Sequence, residues 1–232
     1  FKNDFFTWFR PPKDSTPLPM TINQINGNRI ENYRLLSGAT HQFERINNPV
    51  ELLKKENRKG RCGEWANAFC FLASCLNFEV RYVCALYEDH VWAEIYSKKE
   101  DRWIHFDPCE NKFDRPLMYE IGWNKKLSFV VAAQVDLVVD VSKRYKCDHN
   151  ELLTNQLLIE NGQVSDEMPN KTKKVNILLK NQMNLTESRI SELKRRRVIE
   201  QKEFVETGKL DKSQLKQSKN FTGRQNADQS WV

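Results

Sequence analysis

The tightest constraint on this chain is a single change of hydrophobic period between residues 62 and 107. From Cys62 to Leu76 the apolar residues Trp65, Ala66, Phe69, Leu72, Ala73 and Leu76 recur three and four apart, the signature of a helix with one buried face. From Val80 onward the repeat is two: Val80, Tyr82 and Cys84 open one run, His90 to Tyr96 alternates through a second, and Trp103 to Asp107 forms a third. The charged segment Lys98 to Asp101 reads as a turn, which makes the second and third strands antiparallel neighbours. Two further apolar runs, Leu127 to Ala133 and Leu137 to Val141, extend the sheet. The pattern predicts an α+β core in which one helix packs on an antiparallel sheet.

The flanks divide the 232 residues into three stretches: an N-terminal lobe over 1–60, the core over 61–150, and a polar C-terminal extension over 151–232. In the first, Pro11, Pro12, Pro17, Pro19 and Pro49 punctuate short apolar pieces and exclude long helices, although Pro49 can open a short one reaching Lys55. In the last, Gly162 and Pro169 mark a linker over 161–174. A helix follows it, with Asn184 as cap, Glu187 in capping-box position and Gly208 as stop, and the residues from Leu210 on are expected to be mobile. The positive charge belongs to this extension, where residues 171–232 carry 15 Lys/Arg against 7 Asp/Glu. Its run Lys194–Arg197 is short and interleaved with acids, which favours a solvated helix face, then an acidic protein partner, over nucleic acid. The opening FKNDFFTWFRPP breaks its aromatics with Asp4 and a proline pair, unlike a signal peptide or a membrane span. The six cysteines form no CxxC pair and sit mostly in apolar segments, as reduced thiols of a cytoplasmic protein would.

Three residues stand where a thiol hydrolase needs them. Cys62 opens the helix, where unpaired backbone N–H groups and a partial positive charge suit a nucleophilic sulfur, and Gly63 beside it leaves room for a substrate. Period two puts His90, Trp92, Glu94 and Tyr96 on one strand face, with the apolar Val91, Ala93 and Ile95 expected to face the core. On the next strand Trp103, His105 and Asp107 share a face, so Asp107 can orient the His90 imidazole. Each residue has a plain structural explanation by itself: a buried cysteine, a surface histidine, a turn aspartate before Pro108. The ordered combination of helix-start Cys, strand His and next-strand Asp points to nucleophilic catalysis on an amide.

The segments around these residues are more specific. GRCGEWANAF (60–69), RYV (81–83), DHVWAEIY (89–96), RWIHFDPCEN (102–111), PLMYEIGWNKKLSF (116–129) and VVDVSKRY (138–145) resemble the cytoplasmic peptide:N-glycanases of the transglutaminase-like superfamily. The likeness runs almost without a break from about residue 47 to 147.

The resemblance implies a transglutaminase-like, papain-like core and an amidase that cleaves the bond between asparagine and the first N-acetylglucosamine of N-glycans. Its substrates would be misfolded glycoproteins, in degradation linked to the endoplasmic reticulum. By motif, Cys62 would be the nucleophile, His90 the base and Asp107 the orienting acid. Glu110 of the D-x-C-E motif would contact substrate, and Trp92 and Glu94, which share the His90 face, are expected to line the sugar cleft. The family's partners are ubiquitin-receptor shuttle proteins and a hexameric segregase ATPase of the proteasome pathway. No cofactor is implied for the chemistry. The family does carry a structural zinc on two CxxC pairs upstream of the nucleophile, whereas this chain has no cysteine before Cys62. Either the lobe folds without metal, with residues such as Leu35 and Leu36 packing in its place, or it is destabilised. Two other readings are a transglutaminase or thiol protease on the same triad, against which the Glu110 motif argues, and a non-catalytic scaffold of the degradation pathway.

Overall fold

A computed structural model describes residues 1–2, 4–153, 167–211 and 215. Strand β1 (Thr7–Trp8) opens the N-terminal lobe, which continues into an antiparallel sheet of β2 (Thr16–Ile22), β3 (Arg29–Arg34) and β4 (Thr40–Arg45) in that order. Pro17 and Pro19 lie in β2, an edge strand, where a missing N–H interrupts no ladder on its outer side. A short helix α1 (Pro49–Leu52) follows, capped by the Asn48 side chain accepting from the Val50 N–H at 2.9 Å. It stops three residues before the expected Lys55, and Lys55–Asn57 turn separately as a 3₁₀ segment. Strand β5 (Lys59–Gly60) then pairs in parallel with β1, closing the lobe immediately before the core helix.

That helix, α2 (Cys62–Cys75), matches the predicted span to within a residue and ends with Asn77 in the left-handed region at φ +62°. The main sheet then forms from β6 (Val80–Ala85), β7 (His90–Ser97), β8 (Arg102–Asp107), β9 (Lys112–Phe113), β10 (Val130–Ala133) and β11 (Val138–Asp140). Its order is β11-β10-β6-β7-β8-β9, and every pairing is antiparallel. Asp89 and Asp101 close the turns on either side of β7 at φ +45° and +52°, a region that a short Asp side chain tolerates. Helix α2 packs on β6 and β7, and its Phe69 ring reaches 5.6 Å from Phe106 of β8.

The opposite sheet face differs from the sequence expectation. His90, Trp92, Glu94 and Tyr96 are the buried set of β7, while Val91 and Ile95 are only partly covered. A second layer explains this. The single π-helical turn Met118–Gly122, the residues Leu127, Val141 and Tyr145, and Phe204 of a C-terminal helix all pack on that face around Trp92. The sheet is therefore sandwiched, and both of its faces are core.

Of the C-terminal extension, helix α3 (Glu167–Gln182) begins inside the segment expected to be linker. Pro169 falls in its first turn, where the missing N–H would have no helical acceptor. Helix α4 (Glu187–Thr207) is capped by Thr186, whose hydroxyl accepts from the Arg189 N–H at 3.2 Å, two residues after the expected Asn184. Gly208 does end it. Apart from Leu210, Asp211 and Leu215, the tail expected to be mobile lies outside the described residues.

Of the run expected to be a solvated helix face, Lys194 and Arg195 are exposed, Arg196 is buried and Arg197 half-buried. Arg189 pairs with Asp136 and Glu79, Arg195 with Asp101, Arg196 with Glu79, and Arg197 with Glu200 of the same helix. Most of these acidic partners belong to the protein's own sheet and turns. Beneath α4, Arg81 and Arg144 face Glu94 and Glu200, four buried charges that sum to zero. Although burial alone would raise the Glu200 carboxyl, the two arginines hold it down at about 2. Removing one member strands the others in a dry interior. Glu200→Leu should therefore lower unfolding free energy by about 3–5 kcal/mol in urea titrations. A loss below about 1 kcal/mol would show that the cluster is hydrated or dispensable.

Candidate functional site

Cys62 is the first residue of α2 and is half-buried, so its sulfur can meet a ligand; Cys109 and Cys147 are buried. The turn into the helix is set by Glu64, whose Oε2 accepts from the Arg61 N–H at 2.9 Å. Arg45 of β4 grips the same carboxylate at 2.5 and 3.1 Å and reaches Glu31 of β3 at 2.7 Å. Arg61 closes the ring through Glu31 at 2.8 Å and the Tyr33 hydroxyl, also at 2.8 Å. The lobe thus holds the cap of the Cys62 helix through charge pairs on partly buried groups. Gly60, rather than Gly63, is the glycine this packing requires: a Cβ at position 60 would stand 2.5 Å from the Glu64 Cβ, whereas one at 63 meets nothing closer than 3.4 Å.

On the sheet, Glu94 of β7 stands opposite His105 of β8, and continuing that register leaves His90 diagonal to Asp107 on the same face. The His90 Nε2 lies 2.8 Å from Asp107 Oδ2. With that nitrogen committed, Nδ1 is the ring nitrogen that remains for Cys62, whose nearness also helps raise the His90 pKa. The rings of Trp92, Tyr119 and Trp123 stand 5.6, 5.4 and 5.2 Å from the imidazole and wall it from water. Burial alone would lower the His90 pKa, but the Asp107 charge and hydrogen bond outweigh it, with a smaller contribution from Cys62, and raise the group to about 9. Asp107 is held at about 2 against burial by His90.

Asp107 has further partners. Its Oδ1 accepts the N–H groups of Cys109 and Glu110 at 3.0 and 3.1 Å, so the Asp-Pro-Cys-Glu turn folds back on the carboxylate. Its Oδ2 also accepts the Tyr119 hydroxyl at 2.9 Å, and Tyr119 meets His105 Nε2 at 2.8 Å. Sequence reasoning placed His105 on the Asp107 face without giving it a role, and missed Tyr119 altogether. The strand alternation was a signal for the first; the second arrives on a π turn that no local pattern announces.

Two expected cleft residues are not in a cleft. Trp92 is fully buried, stacked on Tyr119 at 4.4 Å and edge-on to Tyr145 at 4.7 Å. Glu94 is also fully buried, paired with Arg81 and accepting the Tyr145 hydroxyl at 2.5 Å. Both serve the core because the second layer covers their face. Glu110 sits beside Asp107 in the turn, nearly buried, with Lys2 at 3.6 Å. Cys109 belongs to the apolar cluster of Phe6, Leu52, Trp65 and Ala68 on which Cys62 rests, which brings this turn close to Cys62.

The lobe does not fit a structural zinc. It has no cysteine, and among the described residues no group of three or more His, Cys, Asp or Glu is placed to hold a metal. Leu36, expected to pack there, is 87% exposed in the β3–β4 turn. Phe9 instead stacks on Phe43 at 3.7 Å, with Tyr33 and His41 beside it.

With this geometry in place, the comparisons with known proteins can be read. Residues 13–108, from the lobe sheet to the end of β8, match the family model described as the transglutaminase-like superfamily. The chain belongs to that superfamily. Among relatives, this transglutaminase-like chain is similar to the peptide-N(4)-(N-acetyl-beta-glucosaminyl)asparagine amidase of Gallus gallus, 41% identical over 88% of this chain and 32% of the relative. The proteins of the same name from Homo sapiens and Saccharomyces cerevisiae are 44% and 42% identical, over 72% and 68% of this chain and 24% and 47% of their own lengths. The chain thus spans about a third of the chicken relative.

The charge argument for His90 has a direct test. Asp107→Asn removes the main group that outweighs burial, leaving only Cys62 to raise the imidazole. In ¹H–¹³C spectra of the histidine rings, the His90 midpoint should fall from about 9 by about 1–3 units. An unchanged midpoint would remove Asp107 from the account.

Proposed function

We propose that the chain is a deglycosylating amidase that hydrolyses the bond between asparagine and N-acetylglucosamine on N-glycosylated proteins, with Cys62, His90 and Asp107 as its triad. The observation that carries this reading is the buried His90, bonded to Asp107 at 2.8 Å and near enough to the half-buried Cys62 for that group to help raise its pKa. The names of the relatives supply the substrate class.

In this reading the Cys62 sulfur attacks the side-chain carbonyl carbon of the glycosylated asparagine. The C–N bond breaks as its nitrogen takes a proton from His90, and the sugar leaves as a glycosylamine. A water then attacks the thioester carbonyl, returning one proton to His90 and releasing the Cys62 thiol and an aspartate side chain. Asp107 keeps the imidazolium oriented through both steps without itself becoming protonated. Glu110, whose backbone N–H is held by Asp107 in the same turn, would be the residue that contacts substrate. The lobe needs no metal in this account, since charge pairs and the Phe9–Phe43 stack hold it.

The reading carries a cytoplasmic setting and partners in the degradation machinery, namely shuttle proteins and the segregase ATPase. Consistent with it, no described helix is long and apolar enough to cross a membrane. Docking through α4 would use its exposed positions, such as Lys194, Arg195, Val198 and Val205, because Arg189 and Arg196 are engaged by acidic groups of the core.

Incubating a denatured high-mannose glycoprotein with the chain and with Cys62→Ala tests the proposal. Glycan release with asparagine converted to aspartate is expected, reduced by at least about a thousandfold in the variant. Release unchanged in Cys62→Ala would refute the nucleophile. No release by the intact chain would favour a scaffold, and peptide cleavage or amine incorporation would favour the protease or transglutaminase alternative.

A further inference from the structure

The hydrogen bonds beyond the triad can be given directions, because each group has few hydrogens to offer. The Arg115 N–H donates to His105 Nδ1 at 3.3 Å, so that nitrogen carries no hydrogen when the ring is neutral. His105 is 1% exposed, and burial lowers its pKa to about 4, outweighing the opposing charges of Asp107, Glu94 and Asp114 while His90 adds to the lowering. Its one N–H is therefore on Nε2 and points to the Tyr119 oxygen at 2.8 Å. Tyr119 has a single hydroxyl hydrogen. With its oxygen accepting from His105, that hydrogen goes to Asp107 Oδ2 at 2.9 Å, the oxygen that also takes the His90 N–H. Burial and the Asp107 charge keep the Tyr119 hydroxyl protonated throughout the working range.

We propose that His105 and Tyr119 are positioning residues of the catalytic centre, forming a one-way relay from the Arg115 backbone through His105 and Tyr119 to Asp107. The relay does two things. It gives Oδ2 a second fixed donor beside His90, which holds the carboxylate in place and keeps that oxygen at the imidazole. It also shares the charge of Oδ2 between two donors, which weakens the pull of Asp107 on the His90 proton. Without Tyr119's hydrogen the carboxylate would hold that proton more tightly and yield it less readily to a leaving nitrogen. The groups facing His90 are Asp107, Cys62 and the rings of Trp92, Tyr119 and Trp123, so no other described charge competes for this role. The catalytic consequence rests on the amidase reading; the effect on His90 does not.

Two measurements on the full chain separate those claims: the His90 ring titration by NMR, and kcat and KM for glycan release from a glycopeptide. Tyr119→Phe keeps the ring that stacks on Trp92 and removes only the hydroxyl. The expected result is a His90 midpoint raised by about half a pH unit. With it, kcat should fall about tenfold while KM stays within about twofold. His105→Gln, whose amide N–H can replace Nε2–H, should titrate and turn over like the parent, whereas His105→Leu should shift in the direction of Tyr119→Phe. A midpoint unmoved in Tyr119→Phe, or identical behaviour of His105→Gln and His105→Leu, would overturn the relay and leave these residues as packing. Should Tyr119→Phe fail to fold, the Gln and Leu pair decides alone. If the parent chain releases no glycan, the amidase reading fails, and the titration still decides the relay.

Discussion

The site depends on a carboxylate buried where water cannot reach it. Asp107 is 1% exposed, and a bare charge at that depth would be neutralised or expelled. The fold instead surrounds it with donors: His90 and Tyr119 on one oxygen, and the Cys109 and Glu110 backbone on the other. The four donors come from three pieces of architecture, namely the β7–β8 register, the π turn and the turn after β8. Assembling the acid therefore assembles the site. The same rule governs the far end of β7, where Glu94 is tolerated because Arg81 and Arg144 meet it and Glu200 restores neutrality.

The position of Cys62 depends on the lobe as well as the helix. Glu64 caps α2 from within, yet its carboxylate is shared with Arg45 of β4, and Arg61 at the cap is shared with Glu31 of β3. A shift of the lobe sheet would be felt at the helix start through these pairs. In place of metal–thiolate bonds the lobe has an aromatic stack on one side and an ion network on the other.

What could be read from the sequence was whatever a local period announces. Helix α2, strands β6 to β8 and the placement of Cys62, His90 and Asp107 on them follow from spacing, because an amphipathic helix and alternating strands have predictable faces. The open side of the sheet could not be read that way. Alternation says which residues share a face, but whether that face meets water depends on Met118, Tyr119, Leu127, Val141, Tyr145 and Phe204 packing over it, and this moved Trp92 and Glu94 from cleft to core. The lobe strands escaped notice because β3 buries Glu31, Asn32 and Tyr33 rather than an apolar stripe. Helix α4 looked solvated for a related reason: its contacts to the sheet run largely through arginines, whose partners at Glu79, Asp101 and Asp136 are distant in sequence.

The central claim is covalent chemistry at Cys62, with His90 and Asp107 moving and holding the proton. Trapping the acyl intermediate tests it most directly. With hydroxylamine present during deglycosylation of a glycopeptide, a thioester on Cys62 should be intercepted, giving an aspartyl hydroxamate in place of aspartate in the peptide's mass spectrum. Aspartate alone at every hydroxylamine concentration, with glycan release undiminished, would mean that water attacks the amide directly and that Cys62 is not the nucleophile.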